Sequence, residues 1–237
     1  MMLNGTRMQR RMLHTSDLHL ASLGDVGCRS LEAMVDLAIR NKVDLVMIAG
    51  DLFDHNRVDD NLVGFVVQQL QRLPVYVAVL PGNHDCLVRD SVFFRDGLWR
   101  NATNIQIFRK PEGETLSFHG LGVSVWGKPI VSHENDFRPL VGIPQHQCRG
   151  EWHITMAHGY YVGTDIYSYR AFQISQQEIV NSGQDYIALG HSPSFRCVCN
   201  EPVTCYCDSP SLFGTVAIVD LTEERGVQVS RDSLWNE

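Results

Sequence analysis

The sequence predicts an α/β protein built around parallel strands. Short apolar runs that fit strands buried on both faces alternate with segments whose apolar residues recur at helical spacing. Within the first 80 residues this alternation gives the order β-α-β-α-β, which is typical of parallel strands joined by right-handed crossovers. Of the 237 residues, 44% are hydrophobic and 20% are charged, which supports a folded core and excludes a disordered or fibrous chain.

The first half of the chain supplies three strands and two helices. Strands are predicted at 11–15, 45–49 and 75–80, and helices at 30–40 and 60–73. The run LVMIA at 45–49 is apolar at every position, as expected for a strand covered on both faces. Pro74 ends the second helix, because proline lacks the backbone N–H that a helix interior requires.

The second half changes to shorter strands separated by glycine and proline. Strands at 105–108, 115–118 and 123–126 are predicted to be antiparallel, a second β-α-β passage covers 154–157, 175–181 and 186–189, and antiparallel strands at 215–220 and 227–230 close the chain. Because neither a repeat nor a linker interrupts this pattern, we expect one domain over residues 11–237, preceded by a flexible leader at 1–10.

The charge balance and the terminal sequence restrict the partners. Lys and Arg total 20 and Asp and Glu total 27, so the net charge is −7, which argues against non-specific binding to a nucleic-acid backbone. No apolar run approaches the ~18 residues of a membrane helix, and the basic N-terminus lacks the apolar stretch of a signal peptide. We therefore expect a cytoplasmic protein with no membrane partner.

Seven cysteines in a chain without an export signal indicate reduced thiols rather than disulfides. Four of the seven lie within eleven positions, at Cys197, Cys199, Cys205 and Cys207. Three interpretations stay open for this cluster. Packing of small apolar side chains is the most common use of cysteine, a closed zinc site needs four converging thiolates, and a redox pair needs two adjacent ones.

Glycine and metal-binding residue types follow five of the predicted strands. The five segments are SDLH at 16–19, GDLFD at 50–54, GNHD at 82–85, AHG at 157–159 and LGH at 189–191. In open α/β sheets the carboxyl ends of the strands form the crevice that binds ligands. Carboxylate, imidazole and amide groups without thiolate suit Mn, Fe, Zn or Co, and a pair of such ions ~3.5–4 Å apart can clamp a phosphate.

These segments, in this order, resemble the calcineurin-like metallophosphoesterase superfamily over roughly residues 12–220. GDLFD, GNHD and DYIALGH are most similar to the catalytic subunit of double-strand-break repair nucleases and its smaller bacterial relatives. The resemblance implies a four-layer αββα sandwich of two mixed β-sheets. It also implies that a metal-bound hydroxide hydrolyses a phosphodiester, which would be a nucleotide, a short oligonucleotide or nucleic-acid fragment, or another small phosphodiester.

The resemblance assigns a role to each motif residue, with manganese as the expected metal and Fe, Zn or Co as alternatives. The implied ligands are Asp17 and His19 for the first ion, Asp51 for both ions, and Asn83, His158 and His191 for the second ion. His84 would protonate the leaving oxygen, with Asp85 orienting it. Asp54 would hold a metal ligand in orientation. Apart from the resemblance, His55 and Arg57 directly follow the GDLFD segment, and we expect them to reach the substrate.

One position departs from the family pattern. The last motif of the family is Gly-His-x-His, but this chain has Pro193 at the second histidine, and proline offers no side-chain ligand. We expect a first site that is weakened or completed by another group, with Asp208 or the neighbouring cysteines as candidates. The alternative function is a degenerate phosphoesterase fold that acts as a binding or regulatory module.

Overall fold

The computed structural model describes residues 6–145, 150–165 and 171–235. The described strands are β1 (Arg10–Thr15), β2 (Leu45–Ala49), β3 (Tyr76–Leu80), β4 (Ile105–Ile107), β5 (Glu114–Phe118), β6 (Val123–Gly127), β7 (Trp152–His158), β8 (Tyr160–Gly163), β9 (Gln173–Ser175), β10 (Tyr186–Gly190), β11 (Arg196–Asn200), β12 (Val203–Tyr206), β13 (Thr215–Thr222) and β14 (Gly226–Ser233). The described helices are α1 (Val26–Arg40), α2 (Asp60–Gln71), α3 (Asp96–Trp99), α4 (Gln176–Val180) and α5 (Pro210–Phe213).

Two six-stranded sheets form the centre of the molecule, in the orders β14-β13-β1-β2-β3-β4 and β11-β12-β10-β7-β6-β5. In the first sheet β1 to β4 run parallel, β13 pairs antiparallel with β1, and β14 pairs antiparallel with β13. In the second sheet β6, β7, β10 and β12 run parallel, and β5 and β11 are antiparallel. The prediction of two mixed sheets is therefore confirmed.

Alternating side chains of the strands divide the core into layers. Leu13 and Val46 pack with residues of α1 and α2 on one face of the first sheet. Met12 and Met47 point to the other face, where they meet apolar residues of the second sheet. Ile179 of α4 packs on the far side of the second sheet. Helices thus cover the outer faces of two stacked sheets, as the four-layer prediction requires.

The two long helices begin at aspartate caps, which accept backbone N–H groups that the first helical turn leaves unpaired. Asp25 accepts from Cys28 N, so α1 begins at Val26, four residues before the predicted start. Asp59 accepts from Asn61 N at the start of α2. Among the helices of the described ranges, none has both the length and the apolar character to cross a bilayer.

One detail of the predicted organisation is wrong. β4 pairs parallel with β3, whereas the sequence predicted an antiparallel strand at this place. Within the expected leader, Arg10 belongs to β1 and Arg7 Nη1 lies 2.7 Å from Asp185 Oδ1. In addition, Trp152 donates its indole N–H to the carbonyl of Met8. Residues 1–5 of the expected leader lie outside the described residues.

The expectation of reduced thiols is wrong for one pair of cysteines. Cys197 of β11 lies opposite Cys205 of β12 in the antiparallel register, and a disulfide joins them. The thiol of Cys199 instead contacts the carbonyl of Glu201. Cys207 is buried elsewhere, so the four sulfur atoms do not converge as a closed zinc site would require. The spacing of the four cysteines in the sequence does not reveal the strand register that brings Cys197 opposite Cys205.

Candidate metal centre

The five polar segments meet at one edge of the two sheets. Asp17 follows β1, Asp51 follows β2 and Asn83 follows β3, all at the carboxyl ends of parallel strands of the first sheet. His158 ends β7 and His191 follows β10, which are parallel neighbours in the second sheet. The sheets pack face to face, so loops from both contribute side chains to a single site.

Four of these residues have an unusual backbone conformation. Asp17, His19, Asp51 and His191 have φ angles of 54°, 48°, 52° and 92°, in the left-handed region that non-glycine residues rarely adopt. Hydrogen bonds between the loops hold them there, because Asp17 N donates to Gly50 O and His19 N donates to Asp51 O. The conformation costs about 1–2 kcal/mol per residue, and such strain is typical of functional sites.

Two glycines let the loops approach closely. A Cβ atom on Gly82 would lie 2.2 Å from Asp51 Oδ1, and one on Gly190 would lie 1.9 Å from the carbonyl oxygen of Ala49. Neither separation is possible between non-bonded atoms. The glycines of GNHD and LGH are therefore required because backbone and ligand atoms occupy the space that a side chain would need.

Three potential ligand atoms gather around the Nε2 atom of His158. Its Nε2 lies 3.0 Å from Asn83 Oδ1, 3.1 Å from Asp51 Oδ2 and 3.2 Å from His191 Nδ1. Its Nδ1 donates a hydrogen bond of 2.8 Å to Ala49 O, which fixes the ring and directs Nε2 into the cluster. Such a bond on the outer nitrogen is the usual way to orient a metal-binding imidazole.

The electrostatics of this cluster fit a bound cation. Burial opposes the charged form of His158, but the nearby carboxylates of Asp51 and Asp17 raise its pKa to about 9. Without a metal, the proton held by His158 thus supplies positive charge among the converging ligand atoms. Burial and the charge of His158 lower the pKa of His191 to about 3, so this imidazole is neutral and able to coordinate. The residues therefore fit a divalent ion, whose binding would displace the proton of His158.

The first site has a looser donor set. His19 Nε2 lies 3.8 Å from Asp17 Oδ1 and 3.9 Å from Asp51 Oδ2. Its Nδ1 lies 3.3 Å from Asp54 Oδ1, within ion-pair distance but without the alignment of a hydrogen bond. Ligand atoms of His19, Asp51 and His84 lie within 4.8 Å of one another. His84 is therefore close enough to act at this site either as an acid or as a ligand.

His84 is oriented by Asp54, in contrast to the sequence prediction. Its Nδ1 donates to the carbonyl oxygen of Asp54 at 2.9 Å and lies 3.5 Å from the Asp54 carboxylate. The carboxylate of Asp85, which was expected to orient His84, instead accepts from the backbone N–H groups of Gly82 and Phe53. Burial and the charge of Asp51 raise the pKa of Asp85 to about 7. Asp85 thus joins the two ligand loops.

The loop that contains Pro193 is held by Ser209. The carbonyl oxygen of Pro193 accepts from Ser209 N at 2.7 Å, and Ser209 Oγ donates to Asp17 O at 2.7 Å. On the same side, the buried thiol of Cys207 lies 3.1 Å from Ser16 Oγ, and burial raises its pKa well above the usual range. Cys207 is therefore a neutral thiol beside the site, outside the ligand groups of the described residues.

The proposed substitute ligand Asp208 is occupied elsewhere. Its Oδ1 accepts from Phe195 N, and its Oδ2 accepts from Thr215 Oγ1 and Arg231 Nε at 2.6 and 2.7 Å. With both oxygens engaged, this carboxylate holds β13 and β14 to the loop before β11. The structure therefore corrects the expectation that Asp208 completes the first site.

The predicted substrate residues follow Asp54 in the loop after β2. Arg57 is exposed and His55 is half-buried, on either side of Asn56, whose side chain is fixed by Cys86 O and Val92 N. Sequence reasoning missed His133, whose Nε2 donates to the carbonyl oxygen of Asn83 at 3.0 Å. No motif identified it, because it lies in an irregular loop after β6.

Comparison with known families agrees with this geometry. The family model for calcineurin-like phosphoesterases matches residues 10–229, which contain all five ligand segments. The chain belongs to this family. The family is one of metal-dependent phosphoester hydrolases, and the donor groups gathered at the sheet edge fit divalent ions. The earlier resemblance is thereby confirmed.

Two curated relatives are similar to most of this chain. The metallophosphoesterase YhaO of Bacillus subtilis is 29% identical over 205 residues, which cover 76% of this chain and 47% of YhaO. The DNA double-strand break repair protein Mre11 of Methanopyrus kandleri is 26% identical over 203 residues, which cover 76% of this chain and 44% of Mre11. The chain spans less than half of the length of these relatives.

Solved structures confirm the fold at low sequence identity. TT1561 of Thermus thermophilus aligns with a TM-score of 0.65 at 10% identity, covering 96% of this chain and all of TT1561. A dimetal phosphatase from Danio rerio aligns with a TM-score of 0.60 at 12% identity, covering 96% of this chain and 97% of the phosphatase. The two-sheet sandwich is therefore shared well beyond the range of recognisable sequence similarity.

Proposed function

We propose that this phosphoesterase hydrolyses a phosphodiester, with two divalent ions held at the edge of the two sheets. The observation that carries the proposal is the convergence of the Asp51, Asn83, His158 and His191 ligand atoms beside the half-exposed His84 imidazole. Asp17 and His19 extend this cluster to a first site that shares Asp51. Manganese is the proposed metal, with iron, zinc and cobalt as alternatives.

Each described side chain has a distinct part in the proposed reaction. Bound divalent ions supply positive charge to the phosphate and lower the pKa of the attacking water. His84 gives a proton to the leaving oxygen, a contribution of about 10²- to 10⁴-fold in rate when an imidazole is well positioned. Asp54 holds His84 through its carbonyl group, so the proton-donating edge of the ring faces the site.

A small diester fits the properties of this chain better than long duplex DNA. The net charge is −7, so attraction to a polyanionic backbone is weak outside the metal site. The similarity to a DNA double-strand break repair protein supports a diester rather than a monoester, because the DNA backbone is a phosphodiester. We therefore propose a nucleotide, a short oligonucleotide or another small phosphodiester as the substrate, with His55 and Arg57 in contact with it.

The alternative of a binding or regulatory module is not favoured. A module that only recognises phosphate would have no need of a proton donor, yet His84 is intact and hydrogen-bonded by Asp54. Every residue that the resemblance assigns to the second site is also present in this chain. The departure at Pro193 affects the first site alone.

Hydrolysis of bis-p-nitrophenyl phosphate tests the proposed function. We expect the wild-type protein to release p-nitrophenol with added Mn²⁺, to lose this activity with a chelator, and to act faster on the diester than on p-nitrophenyl phosphate. Initial rates with Mn²⁺, Fe²⁺, Zn²⁺ and Co²⁺ measure the metal preference. No turnover with any of these ions would contradict the enzyme and support the binding module.

Replacing Pro193 by His should strengthen the first site. A second imidazole in the last motif would supply the ligand that the family pattern has there, and we expect the weaker of two Mn²⁺ affinities to rise at least about 10-fold. Titration calorimetry measures both affinities. Pro193→Ala, which removes the ring without adding a donor, is the matched control. Two Mn²⁺ ions bound with equal affinity by the wild type, or no rise in affinity in Pro193→His, would show that another group already completes the first site.

A further inference from the structure

His133 contacts the loop that contains the second-site ligand Asn83. It lies in the segment after β6, which crosses the loop between Pro81 and Leu87. Ile130 fixes this crossing on both sides, because its N–H donates to Pro81 O and its carbonyl accepts from Leu87 N. Three residues further on, His133 Nε2 donates to Asn83 O at 3.0 Å.

The peptide group between Asn83 and His84 is thereby held at both ends. Its carbonyl oxygen accepts from His133, and its N–H donates to Asp51 Oδ1 at 2.9 Å. A peptide group is planar, so fixing its C=O and its N–H fixes the orientation of both adjoining Cα atoms. One of these Cα atoms carries the amide ligand of the second site, and the other carries the imidazole of the proposed acid.

The ring of His133 has a defined position although the residue is exposed. It packs edge to face on Phe172, with centroids 5.8 Å apart and an interplanar angle of 74°. Phe172 is buried, contacts Phe137 in the same manner, and lies with its ring centroid 6.3 Å from that of His191. This aromatic cluster directs the His133 N–H at the peptide.

We propose that His133 is a positioning residue that sets the affinity of the second metal site by orienting the Asn83–His84 peptide. The proposal rests on the proposed metal-dependent function. It assigns His133 no contact with metal or substrate. We expect loss of the His133 hydrogen bond to affect both metal binding and kcat, because the same peptide group joins Asn83 and His84.

Two substitutions separate the hydrogen bond from the packing. His133→Phe keeps a ring against Phe172 and removes the N–H donor, and we expect it to weaken the tighter Mn²⁺ binding step about 10-fold. His133→Gln keeps a donor, and we expect it to restore affinity close to that of the wild type. His119→Phe is the matched control, since His119 is exposed and its ion-pair partner is Glu151, away from the site. Titration calorimetry measures both steps, with thermal unfolding as a check of the fold.

The outcomes distinguish this proposal from the function on which it rests. Wild-type affinity in His133→Phe would overturn the role of His133 while leaving the proposed function intact. Equal losses in His133→Phe and His133→Gln would also overturn it, because the donor would then be irrelevant. A wild-type protein that binds no Mn²⁺ would refute the proposed function itself, and the positioning role with it.

Discussion

Replacing Asp51 by Asn should reduce metal-dependent hydrolysis by at least about 10³-fold, the upper end for loss of a single electrostatic stabiliser. Asp51 is shared by both proposed sites, and Oδ2 lies 3.1 Å from His158 Nε2. Burial opposes its charge, yet the neighbouring His158 holds the pKa of Asp51 well below its usual range. The carboxylate is thus negative at neutral pH, and an amide of the same shape removes that charge from both ions.

Two measurements check the origin of this loss. Calorimetry with Mn²⁺ should show weaker binding at both steps in Asp51→Asn, whereas rates on bis-p-nitrophenyl phosphate report the catalytic effect. Asp36→Asn is the matched control, because Asp36 is an exposed carboxylate on α1 that pairs with Arg72. We expect that variant to behave as the wild type. Full metal binding by Asp51→Asn would contradict the bridging role.

Replacing His84 by Ala should lower kcat about 10²- to 10⁴-fold if the imidazole is the general acid. The loss should depend on the leaving group. A p-nitrophenolate departs readily without a proton, whereas the alkoxide of a dinucleotide needs one, so the dinucleotide should lose more. Rates on both substrates measure this difference. Both metal ions should remain bound, because the proposed acid is not a ligand.

The metal content of His84→Ala decides between the two roles that the geometry allows. His84 lies with His19 and Asp51 in a group close enough to hold an ion. Loss of one ion in His84→Ala, with equal effects on both substrates, would make His84 a ligand of the ligand-poor first site. Retention of both ions with a leaving-group effect would support the acid.

The central part of the fold was predictable because buried strands such as β2 are apolar at every position. LVMIA at 45–49 becomes β2 with the predicted bounds, and the two segments that flank it become helices. The helix starts were less predictable, since they depend on a cap. Asp25 is a single polar residue before the periodic run, and its hydrogen bond to Cys28 N extends α1 beyond the apolar pattern.

The site was predictable as a set of residues and less so as a set of contacts. Motif order brought the ligand segments to one sheet edge, but the choice between Asp54 and Asp85 as the partner of His84 depends on how two loops pack. The same limit applies to Cys197 and Cys205, whose pairing needs the strand register. His133 was missed because a contact to a backbone carbonyl leaves no pattern in the sequence.

The left-handed backbone at Asp17, His19, Asp51 and His191 places stability and activity in opposition at the same positions. A glycine at any of these four positions would relieve the backbone strain, and it would also remove a proposed metal ligand. Variants selected only for heat resistance are therefore expected to accumulate substitutions at these four positions and to lose activity. Such a trade-off is common where a functional site is conformationally strained.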